Sequence, residues 1–221
     1  MMMLKDILLG FKGSSDEVKL QEMFQELAKS FLYGGFIQVG EDYRVFIKTV
    51  EFYYHSEKDE GIHDPIVYHR HTRNSEGKIL REVPYFPLMT LHAHNSGFDI
   101  TFENEAEEYR ASALIRAYEV KDKQGHYLIW KKNDEDSRYM FVQEPHYGFN
   151  TQSTYLYSIL NGFPLGTNNA IRWIDSPREQ LYNLIPKLRK NAFKSKNEWK
   201  YESSNVKCDR TWSFTREEKV Q

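Results

Sequence analysis

The chain has 221 residues, enough for one large domain or two small ones, with 40% apolar side chains to build a core. A formal charge of -2 means that any nucleic-acid surface must come from a local concentration of basic residues and not from the chain's overall balance. The one cysteine, Cys208, excludes an intramolecular disulfide and argues for a reducing, intracellular compartment.

The opening MMMLKDILLG holds too short an apolar run for a signal peptide, and no later run is long enough to span a bilayer. The expectation is a soluble, cytoplasmic protein that acts as a monomer. Residues 15 to 33 read as the first helix, capped by Ser15, with Asp16 and Glu17 at the positive end of its dipole. Leu20, Met23, Phe24, Leu27, Ala28, Phe31 and Leu32 form one apolar stripe, and Gly34-Gly35 ends it. FIQVG, a polar turn at Glu41-Asp42, and YRVFIKTVEFYY predict a β-hairpin. Residues 55 to 85 read as a long loop, a kind of segment more often functional or disordered than idle. Strands follow at PLMTLHAHN, GFDITFEN, ASALIRAYEV and HYLIWKK, with a turn at NDEDS. TQSTYLYSILNGF reads as helical, and Ser176-Pro177 reads as the start of a last helix carrying Leu181, Leu184, Ile185 and Leu188. The tail from 202 to 221 is polar, with partial disorder expected. The whole is an α+β chain: one domain over 1–221, a mostly antiparallel sheet flanked by helices.

Glu51 is the first candidate for chemistry. Val50, Phe52 and Tyr54 alternate with Thr49, Glu51 and Tyr53, so Glu51 and Tyr53 share one face of a strand. Burial disfavours an ionised carboxylate, which makes such a group a candidate general base; the plain alternative is a surface Glu paired with Lys48. Six of the eight histidines lie between 55 and 94, and His69/His71 and His92/His94 form two His-x-His pairs able to chelate an ion if each sits on a strand. Lys187, Arg189, Lys190, Lys194, Lys196 and Lys200, beside Trp199 and Tyr201, could hold phosphates or simply end a helix. No Gly-x-Ser-x-Gly, Walker loop or Rossmann glycine fingerprint occurs.

LAKSFLYGGFIQVGEDYRVFIKTVEFYYHSEKD resembles the opening of the alkyladenine (3-methyladenine) DNA glycosylase family. There, a helix ending in Leu-Ala-x-x-Leu-Leu-Gly leads to a strand, a turn, a strand closing on Ile-Val-Glu-x-Glu-Ala-Tyr, and an acidic loop. Ile47, Glu51 and Tyr53 fall on the Ile, the second Glu and the Tyr. HDPIVYHRHTRN is similar to the family's Asp-Pro, His and Thr-Pro-Arg-Asn without its proline. PLMTLHAHNSGFDIT and LIRAYE are similar to its next strands, and the likeness runs from 27 to 120.

The resemblance implies a curved-sheet glycosylase that flips a damaged, alkylated or deaminated purine out of double-stranded DNA and hydrolyses its N-glycosidic bond, with no metal or other cofactor. Glu51 would activate water, Arg116 would help hold that water, and Tyr53 would stack on the flipped base. His63 or His69 would contact the base or its sugar-phosphate; beyond the stretch of likeness, Lys190 and Lys194 of the basic cluster are the candidate contacts to the DNA backbone. Met89 and His92 stand where the family has its stacking and intercalating tyrosines, Asp99 replaces an Asn, and Phe52 puts a larger ring where the family has Ala. Two alternatives remain: a repurposed member that binds a nucleobase-like ligand or a protein, and an unrelated metal-dependent enzyme using His69, His71, His92 and His94.

Overall fold

The structure, a computed structural model, describes residues 3–94, 97–126, 171–179, 184–189 and 209–216. A short helix α1 (Leu4–Leu9) precedes the predicted one, α2 (Glu17–Tyr33). Asp16, not Ser15, is the N-cap of α2: its carboxylate accepts from the backbone N–H groups of Val18 and Lys19 at 2.8 and 3.2 Å. The strands are β1 (Gly35–Val39), β2 (Tyr43–Ser56), β3 (Thr72–Arg73), β4 (Ile79–Arg81), β5 (Leu91–His94), β6 (Gly97–Thr101), β7 (Tyr109–Asp122), β8 (Ile171–Asp175) and β9 (Ser213–Thr215). Seven of them form one curled antiparallel sheet, in the order β5-β6-β7-β2-β1-β8, with β9 on β2; β3 and β4 make a separate hairpin.

The predicted hairpin is β1–β2, turned through Gly40, whose φ of 56° suits a residue without Cβ. The 14-residue strands β2 and β7 pair along their whole length. That pairing slips twice, between Ile47 and Thr49 and again between Thr49 and Val50. Such bulges bend a strand and re-aim its side chains. Val45 and Ile47 therefore join the same core as Val50, Phe52 and Tyr54, although strict alternation would put Ile47 and Val50 on opposite faces.

The apolar face of β2 and β7 packs under α2. Phe24 stacks on Phe52 at 4.8 Å, and Trp212 meets Phe24 edge-on at 4.9 Å. Full burial of each such side chain contributes about 2 kcal/mol. The opposite face is covered by parts of the connection 57–90, which forms a strap over the sheet, while its Ile62 and Met89 join the helix-side core. Glu57 accepts from Arg110 Nε at 3.0 Å and from the His71 N–H at 2.9 Å. Arg110 also donates to the Pro84 carbonyl at 2.9 Å and to Glu103 at 3.1 Å, and its guanidinium lies 3.5 Å over the Tyr85 ring.

The described C-terminal segments depart from expectation. Residues 184–189 are not helical; Lys187 bridges to Ser213 in antiparallel fashion. Pro186 removes a donor and biases Ile185 towards extended backbone, and Arg189 is drawn inward to Asp64. Within the polar tail, Phe214 pairs with Val50 in β9, and Phe214 and Trp212 are buried. The expected elements HYLIWKK (beyond His126), NDEDS and TQSTYLYSILNGF lie outside the described residues. No helix among the described residues is long and apolar enough to cross a membrane.

Candidate functional site

Glu51 sits mid-sheet, paired with Leu114 of β7 on one side and Ser213 of β9 on the other. Its side chain points to the strap-covered face and is 1% exposed. Tyr53, two residues on, donates its hydroxyl to Glu51 Oε2 at 3.0 Å. Arg116 of β7 donates Nε to the same oxygen at 2.6 Å and Nη2 to the Tyr53 hydroxyl at 3.3 Å. Arg116 lies at the register slip, between the partners of Thr49 and Val50. Burial, reinforced by the Glu51 carboxylate, pushes the Tyr53 phenol above its ordinary range. Burial opposes the Arg116 charge, but Tyr53 and Glu51 outweigh it and hold the guanidinium above its ordinary value. The Arg116 guanidinium and the Tyr53 hydroxyl, both donating to one carboxylate oxygen, fix the direction of the Glu51 side chain.

A second buried ion pair adjoins this triad. Arg189 reaches Asp64 with Nη1 at 2.5 Å and Nη2 at 3.3 Å, and donates to the Phe52 carbonyl at 3.2 Å. Its guanidinium lies over the Tyr53 ring, 4.7 Å from the ring centre. Arg189 thus turns from the expected phosphate cluster into a buried structural cation. Lys190 and Lys194 lie outside the described residues. Lys48 pairs with Glu119 at 3.1 Å and not with Glu51.

The remaining candidates scatter. His63 donates Nε2 to the Asp59 carbonyl at 3.1 Å and meets His55 edge-on at 5.2 Å. His69 pairs with Glu103 through Nδ1. Met89, expected to line the base pocket, belongs to the helix-backed core. Phe52 also turns into that core and does not narrow the Glu51 face. His92 and Asp99 pair across β5 and β6, and both meet the Tyr68 hydroxyl: His92 Nδ1 at 2.5 Å and Asp99 Oδ2 at 3.1 Å. His69 and His71 lie in the strap, off any strand, and His71 accepts the Val83 N–H at 3.0 Å. Among the described residues, no group of three or more His, Cys, Asp or Glu side chains is placed to hold a metal ion.

Sequence reasoning missed Asp64–Arg189, Tyr68 and the Glu57–Arg110–Glu103 cluster. One signal for the last was present: Arg110 and Arg116 share strand parity within YRASALIRAYEV, so both lie on one face. Comparison with protein-family models, curated proteins and solved structures finds no match to this chain.

Proposed function

We propose that this chain is a DNA base-excision glycosylase that hydrolyses the N-glycosidic bond of a damaged purine, with Glu51 as general base and Arg116 as its positioning partner. The observation that carries the reading is the buried carboxylate bridged by Arg116 and Tyr53 on one face of the central strand pair. The Glu51 carboxylate takes a proton from water as the oxygen bonds to the anomeric carbon. The C–N bond breaks, and the base leaves with the bonding pair. Because Glu51 is closed off, a flipped base reaches it only when the strap over residues 57–90 gives way.

A second reading has its own support: a repurposed fold that binds a nucleobase-like ligand or a protein without hydrolysis. The Arg189 guanidinium over Tyr53 occupies one stacking face and ties it to Asp64. The test is single-turnover cleavage of duplex oligonucleotides carrying hypoxanthine or ethenoadenine, with enzyme in excess, chelator present and alkali treatment afterwards. Wild type should give breaks, and Glu51→Gln should slow them by about 100-fold or more. No breaks from folded wild type leaves the binding reading; equal rates in the two proteins remove Glu51 as the base.

A further inference from the structure

The end of the sheet beside the β1–β2 turn carries a row of cations. Val39, Val45, Val120 and Ile171 turn into the helix-backed core, so their chain neighbours Gln38, Arg44, Lys121 and Arg172 take the opposite face. These four lie side by side across the sheet: Lys121 pairs with Arg44, Arg44 with Gln38, and Gln38 with Arg172. Like charges set directly opposite in a sheet are destabilising, and Lys121 and Arg44 are so placed. Gln38, between the two arginines, has its amide nitrogen committed to the Gly40 and Tyr43 carbonyls at 2.8 and 3.0 Å.

The two arginines are not neutralised locally. Among the described residues, neither Arg44 nor Arg172 has a carboxylate partner. Arg44 lies 5.7 Å from the Phe36 ring centre, and Arg172 is exposed. Glu119, one row in, is bound by Lys48 at 3.1 Å and Arg216 at 3.0 Å. Glu41 lines the same surface concavity as Gln38 and Arg172 and makes no ion pair with that arginine. A guanidinium without a carboxylate keeps its fork of donors for another anion, and that fork matches phosphate. The slip at Thr49 holds Val45 on the side of Val50, so the row shares the Glu51 face, roughly 20 Å away along β2.

We propose that Arg44 and Arg172, flanking Gln38, dock the phosphate backbone of duplex DNA on the sheet face that carries Glu51. Such contacts position a duplex without reading its sequence and need no opening of the strap. This rests on the DNA-binding part of the function proposed above and assigns backbone contacts to residues outside the basic run at 187–200.

The test is fluorescence anisotropy of an undamaged duplex oligonucleotide over a range of salt concentrations, with cleavage of a hypoxanthine duplex followed in parallel. Wild type is compared with Arg44→Gln, Arg172→Gln and the double variant, and with Lys19→Gln, which removes an exposed cation from α2 on the other side of the sheet. Circular dichroism checks that each variant is folded. The slope of log affinity against log salt should become shallower by about 0.9 in each single arginine variant and by about 1.8 in the double, one phosphate contact apiece. Lys19→Gln should leave it unchanged. That pattern without any cleavage supports the docking row while hydrolysis fails. Cleavage by wild type with the same salt slope in the arginine variants overturns the row and leaves hydrolysis standing. An equal change in Lys19→Gln overturns it in favour of a diffuse field, and no binding by folded wild type overturns it as well.

Discussion

The two faces of the β2–β7 pair are both sealed from water, but by different means. On one face Val50, Phe52, Tyr54, Ala113 and Ile115 press against α2 and β9. On the other, Glu51, Tyr53, His55, Arg110 and Arg116 are buried beneath the strap. A hydrocarbon face asks mainly for volume, and it loses stability in proportion to what is removed. A charged face depends on partners: each group is tolerable while paired and costly once its partner is gone. The same two strands therefore carry one face that degrades gradually and one that fails abruptly.

The sharpest break in that contrast is Arg110→Met. It strips the cation from both Glu57 and Glu103, and urea denaturation should show a loss of about 3–5 kcal/mol. Adding Glu103→Gln should restore part of the loss; a strictly additive double variant would show that the charges do not act as a network. Next comes acid. Burial, with Arg70 and His63 nearby, pushes the His55 imidazole well below its ordinary value. The unfolded chain then binds a proton near pH 6.5 that the folded chain refuses, so stability falls as pH falls below that point. The drop should approach roughly 1.4 kcal/mol per pH unit and should flatten in His55→Asn. An unchanged slope in that variant would assign the drop to other groups.

On the apolar face, Ile115→Val should cost about 1 kcal/mol with an unchanged m-value. A loss of several kcal/mol there would erase the proposed difference between the faces. The smallest effect is expected outside both. Lys123 pairs with Asp42 at 3.1 Å, with both side chains more than half exposed, so Lys123→Ala should change stability by less than about 0.5 kcal/mol.

Much of the core scaffold was legible locally. The stripe on α2, the β1–β2 hairpin and the span of β7 follow from short-range periodicity, and the strand alternation correctly set Glu51 and Tyr53 together. The bulge was not legible, because alternation carries no mark of where a register slips. The helix expected around Leu184 failed for a related reason. Its leucine spacing suits a helix, yet Leu184 is buried while Ile185 and Leu188 are exposed on an extended segment.

Within the site, Glu51 and Tyr53 are neighbours in sequence, and Arg116 was reached only through a family resemblance. Arg189 looked like one more cation in a basic run. Its place against Asp64 joins residues 125 apart, and Tyr68 finds Asp99 across 31. By itself the sequence determined which residues alternate, where the chain turns and which carboxylate lies among aromatic rings, because these depend on backbone geometry over a few residues. Only the tertiary structure decided which cation meets which carboxylate, which tyrosine is buried and which is half-exposed. Those choices arise when the strap and the C-terminal segments fold over a shared sheet face, and side chains far apart in the chain then compete for the same buried partners.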